Sequence, residues 1–385
     1  MPFLSYGRQT IEEDDIAAVA EALRDEFLTT GPRVEAFERA FAGATGARHA
    51  VACANGTAAL HLAMLALEAG PGDAVVVPSI TFLATANCAR FVGAEAIFAD
   101  VDPQTGLMTP DTLAEALERL EGRRLKAVAP VHLRGDVADV AVLELLAKSA
   151  GGVLVEDAPH ALGSRYAAGN RIGQVGDCAC SAMATFSFHP VKTIATGEGG
   201  MVTTNDDRLA ERLRTLRTHG MVRPAGGDPW RYDMAEVGFN YRLPDILCAL
   251  GLSQLAKLER FAARRRELAA HYARALAPLA PLVRPAASPE GSDPVLHLMT
   301  VLIDFEAAGR SRRQVVEAMR DRGVGTQVHY IPVHTQPYYR DRFPGLRLPG
   351  AEAWYARCLS LPLYPAMADE DVERVGQALA AALGL

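Results

Sequence analysis

Lys192 stands between an apolar, strand-like run, Phe186-Ser187-Phe188, and the glycine-rich turn Thr196-Gly197-Glu198-Gly199-Gly200. A lysine held there can form a Schiff base with an aldehyde cofactor. The hydroxyl of Ser187, five residues earlier, can reach a phosphate. Upstream, Val153-Leu154-Val155-Glu156-Asp157 reads as a buried strand ending in a carboxylate, the anionic partner that a pyridinium nitrogen needs. A lone lysine in a loop is ordinarily a solvated surface residue. The combined spacing of amine, hydroxyl and carboxylate points instead to pyridoxal 5'-phosphate (PLP).

A second constellation fits the same cofactor. Ala52-Cys53-Ala54-Asn55-Gly56-Thr57-Ala58 reads as a strand end, a small-residue turn and the start of an apolar helix. Gly56 allows close approach of a phosphate to the backbone. The amides of Thr57 and Ala58 would point at the anion from the helix N-terminus, and the Thr57 hydroxyl adds a donor. Taken alone, Asn55-Gly56-Thr57 is an ordinary helix-capping turn; with Lys192 and Asp157 in the chain, the phosphate role is favoured. Phe82 follows a core strand, where an aromatic could stack on a pyridine ring or simply pack in the core.

These residues must be positioned by the elements around them. The pattern predicts helices over 11–28, 34–44, 57–67, 81–91 and 140–150, alternating with short apolar strands over 74–78, 94–99, 125–130 and 153–156. Such alternation implies a mostly parallel α/β sheet covered on both faces, with ligands bound outside the carboxyl ends of its strands. A long helix is expected over 243–276. After a proline-punctuated stretch come a strand over 296–304, a helix over 311–322, a strand over 326–330, and helices over 351–358 and 369–383. This tail reads as a smaller α+β domain, giving a large PLP-binding domain over 1–250 and a small one over 251–385.

With 385 residues, nearly half of them apolar and 22% charged, the chain can bury a sizeable core. A net charge of −7 argues against a nucleic-acid partner. The triplet Arg264-Arg265-Arg266 reads as a solvated helix face. Six scattered cysteines suit a reduced, cytoplasmic protein. Cys178-Ala-Cys180 lacks a second pair at zinc spacing, so no metal is expected. No apolar run reaches ~18 residues and no signal pattern opens the chain, so no membrane association is expected.

Four stretches, in order, resemble the DegT/DnrJ/EryC1/StrS sugar aminotransferase family: Gly56 to Leu60, Glu156-Asp157-Ala158-Pro159-His160-Ala161-Leu162-Gly163, Phe186 to Gly200, and Gly238-Phe239-Asn240-Tyr241-Arg242-Leu243. The resemblance spans nearly the whole chain. It implies the PLP-dependent transferase fold type I, like aspartate aminotransferase. It also implies roles: Lys192 holds PLP and moves protons, Asp157 pairs with the ring nitrogen, His160 lies near the ring's phenolic oxygen, and Phe82 stacks on the ring. Ser187, Thr57 and Ala58 bind phosphate, and Asn240 reaches the phosphate of the partner subunit, making a homodimer with shared active sites. Some relatives carry histidine in place of the lysine and act as dehydratases; Lys192 implies transamination.

Within the family, Leu4-Ser5-Tyr6-Gly7-Arg8-Gln9, Leu28-Thr29-Thr30-Gly31-Pro32, Val328 to Tyr339 and the His189-Pro190-Val191-Lys192 loop resemble the pseudaminic-acid pathway branch. That likeness implies L-glutamate as donor and C4 of a UDP-4-keto-6-deoxy-N-acetylhexosamine as acceptor, with Tyr6, Thr30, His329, Tyr330 and His334 binding the sugar nucleotide. Arg340 to Pro344 and Leu359 to Pro365 also resemble the 4-amino-4-deoxy-L-arabinose branch, which aminates a UDP-4-keto-pentose, and a GDP-4-keto-6-deoxymannose (perosamine) enzyme is a third reading. Two further readings stay open: a PLP enzyme of another reaction type, and a catalytically silent fold that binds or regulates.

Overall fold

The computed structural model describes residues 2–385. In chain order the strands β1 (His49–Cys53), β2 (Asp73–Pro78), β3 (Glu95–Ala99), β4 (Arg124–Val128) and β5 (Val153–Asp157) alternate with helices. A separate hairpin follows, β6 (Arg165–Ala168) and β7 (Arg171–Gln174), before β8 (Met183–Ser187) and β9 (Gly200–Thr204). Apart from the hairpin these strands form one seven-stranded sheet in the order β1-β9-β8-β5-β4-β2-β3. β9 runs antiparallel to β1 and β8, and the other pairings are parallel. The carboxyl ends of β1, β2, β5 and β8 therefore gather at one edge. The antiparallel turn from β8 into β9 needs no crossover helix, and its loop carries Lys192.

The sheet is buried on both faces, which is why its strands read as near-continuous apolar runs. Val51, Val75, Val77 and Val155 face one core, while Ala52, Ala74, Val76 and Leu154 face the other. The same period of two orients the catalytic edge. Phe186 and Phe188 pack on Phe37 and Phe41 of the helix Pro32–Thr45, with Phe41–Phe186 ring centroids 5.0 Å apart. Ser187, between them, must turn to the opposite face, where the helix Gly56–Ala66 begins.

After a short ribbon, β10 (Met221–Val222) and β11 (Asp233–Met234), the chain builds a smaller antiparallel sheet from β12 (Val283–Pro285), β14 (Met299–Ile303) and β15 (Cys358–Leu361); β13 (Ser292–Asp293) joins the β6–β7 hairpin. Its core takes Leu268 and Tyr272 from the helix Leu258–Leu276 and Leu379 from the helix Asp369–Leu383. Leu4 is buried in this same core and bridges to Val324. The N-terminal arm thus packs with the C-terminal sheet rather than with the large one.

Several elements depart from the sequence reading. The first helix runs only Glu13–Ala22, because Phe27 and Leu28 are exposed and no burial supports further turns. The long helix is two, Asp245–Leu255 and Leu258–Leu276, broken where Lys257 bonds Asp14 at 2.7 Å and Asp15 at 2.6 Å. Residues 326–330 form no strand beyond a bridge between Gln327 and Ser360, since the chain then peels away to line a cavity. Arg265 is not on a solvated face. It is 1% exposed and its guanidinium donates to the carbonyls of Leu296, His297 and Leu363. Only Arg264 and Arg266 of that triplet reach solvent-facing carboxylates.

Candidate active site

Outside the carboxyl ends of the large sheet lies a cavity of about 650 Å³. Four strand ends reach it: Asn55, Gly56 and Thr57 after β1, Phe82 and Thr85 after β2, Asp157 and His160 from β5, and Ser187 and Lys192 from β8. Tyr6, His329 and Tyr330 close it from the N-terminal arm and the C-terminal segment.

At one end the helix Gly56–Ala66 starts against Ser187. A Cβ on Gly56 would sit 2.7 Å from the Ser187 Cβ, so only glycine lets helix and strand end meet so closely. The first-turn amides of Gly56 and Thr57 have no carbonyl one turn back to bond. They and the Ser187 hydroxyl form an anion-binding end. The Ala58 amide differs from the sequence reading. It donates to the Asn55 side chain at 2.8 Å, closing the helix cap, and Ala58 does not line the cavity.

On the adjacent strand end, Asp157 is almost fully buried. The Thr85 hydroxyl donates to its Oδ2 at 2.5 Å, while Oδ1 is buried without a hydrogen-bond partner among the described residues. Burial pushes this carboxyl up to about 6, opposed by the Thr85 bond and then by the charges of Lys192 and His132. Burial likewise lowers Lys192 to about 8, with Asp157 pulling the other way. Behind Asp157, His132 Nε2 pairs with Glu156 at 2.8 Å, both fully buried, and the backbone N–H of His132 donates to the Asp157 carbonyl.

His160 stacks on His297, ring centroids 4.6 Å apart at 27°. Its Nδ1 accepts the Arg134 amide at 3.4 Å, and its Nε2 lies 3.4 Å from the Tyr330 hydroxyl. Burial, then the Lys192 and His329 charges, hold His160 well below the ordinary histidine range, so it is neutral. His329 is lowered to about 3, chiefly by burial. Its Nδ1 is held by Ser360 at 2.9 Å, and its ring lies 5.5 Å from that of Tyr6. Phe82 is more than half exposed at the mouth, 6.3 Å from the Tyr330 ring.

Besides Ala58, three expected site residues lie outside the cavity. His334 is buried behind the wall, its Nδ1 2.6 Å from the Ser79 hydroxyl, and does not line the cavity. That bond pins the C-terminal segment to the end of β2. Thr30 lines a second, open cavity of about 1020 Å³ with Arg214 and Arg242. Asn240 is exposed and lines neither cavity. Conversely, Thr85, His132 and His297 went unnoticed in sequence. Thr85 left a faint signal, lying one helical turn from Thr81 at the start of a helix; the two histidines left none.

The cavity fits PLP. It has a carboxylate oxygen without a hydrogen-bond partner among the described residues for the ring nitrogen, a helix N-terminus with Ser187 for the phosphate, and a lysine in the same lining. The comparison with known proteins agrees. The model of the DegT/DnrJ/EryC1/StrS aminotransferase family matches residues 9–380. Helicobacter pylori PseC, an aminotransferase involved in pseudaminic acid biosynthesis, is 30% identical over 99% of each chain, with a TM-score of 0.90. DesI, solved with its TDP-sugar product, is 34% identical over 99% of this chain and 93% of its own, with a TM-score of 0.87. Spr1654 of Streptococcus pneumoniae, assigned as a sugar aminotransferase, is 26% identical in its PLP form over 99% of each chain, TM-score 0.88. The chain belongs to the DegT/DnrJ/EryC1/StrS aminotransferase family. It has PLP fold type I and is a PLP-dependent sugar aminotransferase acting on nucleotide sugars.

Proposed function

We propose that this enzyme transfers the amino group of L-glutamate to C4 of a UDP-4-keto-6-deoxy-N-acetylhexosamine, the transamination of pseudaminic acid biosynthesis. The observation that carries the reading is the meeting of Tyr6 and His329, rings 5.5 Å apart, in the lining of the Lys192 cavity. These residues come from the two stretches that resemble the pseudaminic-acid branch, and the likeness to PseC supports the same reading.

Bound in this cavity, PLP supplies an electrophilic carbon for the amine and an electron sink. The chain supplies the rest. Lys192 Nζ takes the proton from Cα of the donor; burial makes part of it free base near neutral pH, as a general base requires. Asp157, whose Oδ1 has no hydrogen-bond partner among the described residues, would accept from the ring nitrogen. Neutral His160, fixed by His297 and Arg134, presents its Nε2 toward Tyr330 and the phenolic side. Glutamate and keto sugar use the site in turn, so the kinetics are ping-pong.

The active unit is a homodimer, and the protein works in the cytoplasm; among the described residues no helix is long and apolar enough to cross a membrane. Asn240 is exposed and lies outside the cavity of its own chain, and Trp230, Met234 and Val237, shortly before it in the chain, are exposed apolar side chains. Burial of this stretch against a second copy would bring Asn240 to the partner's phosphate end. Co-expressed Lys192→Ala and Asn240→Ala chains should regain activity, since one site of each heterodimer keeps both residues. Heterodimers without regained activity would mean that each chain builds its own site.

The substrate is tested with the aminated cofactor form against a panel of 4-keto sugars carrying UDP, TDP or GDP. The acetamido hexose should give the highest kcat/KM, because a site built to hydrogen-bond a group discriminates against analogues lacking it. A higher value for the UDP-4-keto-pentose, the GDP-4-keto-6-deoxymannose or a TDP-sugar like the DesI product would replace this reading with that one.

A further inference from the structure

Asp157 presents one oxygen to the cavity because the other is taken. Thr85 lies in the first turn of the helix Leu83–Phe91 and is fully buried; its hydroxyl donates to Asp157 Oδ2 at 2.5 Å. The Thr81 hydroxyl is 2.6 Å from that of Thr85. A hydroxyl has one proton to give. Thr85 spends its own on the carboxylate, so it accepts from Thr81, and the relay runs Thr81 to Thr85 to Asp157. Were Asp157 protonated at Oδ2, the relay would reverse, and the Thr81 proton would have no acceptor among the hydrogen bonds of the described residues.

We propose that Thr85, backed by Thr81, is a positioning residue that aims Oδ1 of Asp157 into the cavity and keeps this carboxylate ionised. Desolvation works against ionisation, and the groups facing Asp157 offer limited help. Lys192 and His132 favour the charged form, but Lys192 is itself depressed by burial, and His132 Nε2 is directed at Glu156. Cys88, on the same helix as Thr85, has its thiol pushed well up by burial and stays neutral. Tyr330, across the cavity, is pushed up by burial and by the Asp157 charge and is neutral as well. Thr85 is thus the one direct hydrogen-bond donor to the Asp157 side chain among the described residues, and charge-assisted bonds of this kind are the strong ones.

The inference rests on the reading of Asp157 as the partner of the ring nitrogen, and its test begins without cofactor. The protonated-carboxyl infrared band of Asp157, identified as the band lost in Asp157→Asn, is titrated in the apoprotein. Thr85→Val, which keeps shape and removes the hydroxyl, should raise the midpoint by about one pH unit, a tenfold change in proton affinity. Thr85→Ser should restore the wild-type midpoint, and Thr81→Val should give a smaller shift in the same direction. In the holoenzyme, the acid limb of kcat should move to higher pH in step. An unmoved midpoint in Thr85→Val, or a Thr85→Ser titrating like Thr85→Val, would overturn the proposal. If Thr85→Val does not fold, an unmoved midpoint in Thr81→Val does the same. A shifted apoprotein midpoint with an unmoved kcat limb would instead overturn the assignment of Asp157 to the ring nitrogen.

Discussion

The two ends of the cavity are built in different ways. The inner end is a product of one sheet: Asp157, Ser187 and the helix start at Gly56 sit on neighbouring strand ends, each fixed by main-chain pairing and core packing. The outer end is assembled from irregular backbone at opposite ends of the chain, Tyr6 on the N-terminal arm and His329 and Tyr330 on the segment before the helix Pro337–Arg342. Strand ends hold reacting groups rigidly, while segments with few ladder bonds tolerate change. The chemistry shared by a family is therefore expected on the first, and the choice of sugar, on the reading proposed above, on the second.

Breaking the inner end should cost most. Lys192→Ala should lower turnover by ~10³-fold or more, since among the described residues Lys192 is the one lysine lining the cavity, and its loss removes both cofactor attachment and the proton carrier. The variant should stay folded, and cofactor should come away on gel filtration. Near-normal turnover by the purified variant would end the assignment. Asp157→Asn should lower kcat by ~10²-fold while the site still binds cofactor, because the carboxylate charge is lost but not the shape. A rate within a few-fold of wild type would hand the role to another residue.

The outer end should break selectively. His329→Ala should lower kcat/KM for the keto sugar by about 10–100-fold and leave the glutamate half-reaction within a few-fold, as read by single-turnover kinetics of each half. Equal damage to both halves would move His329 into the cofactor shell and erase the distinction between the two ends.

The smallest kinetic effect is expected at His334. It resembles His329 in sequence, but it bonds Ser79 behind the cavity wall. His334→Ala should cost about 1–3 kcal/mol of stability by leaving the Ser79 hydroxyl proton without an acceptor. The order of preference among sugars should not change. A changed order would show that this buried bond shapes the outer end as strongly as the residues lining it.

The sequence by itself determined the inner end. A short apolar run ending in a carboxylate reads as a buried strand whose last side chain meets the sheet edge, and an amine beside a glycine-rich turn is distinctive chemistry. Lys192, Asp157, Ser187 and Thr57 were legible for that reason, as were most elements of the large sheet. The outer end was legible only as motif likeness. Of the residues it suggested, Tyr6, His329 and Tyr330 meet at the cavity, whereas His334 turns into the framework and Thr30 faces another hollow. No local pattern distinguishes His329 from His334: both sit in the same proline-bounded run, and the register of Gln327 with Ser360 helps set which one lines the cavity. Arg265 and His297 were hidden similarly, since a polar residue inside a helical or strand pattern reads as exposed until tertiary packing supplies carbonyls or a ring to meet it. Periodicity encodes which face of an element is buried; which buried polar groups meet each other is set by contacts distant in the chain, and so it was decided only by the tertiary structure.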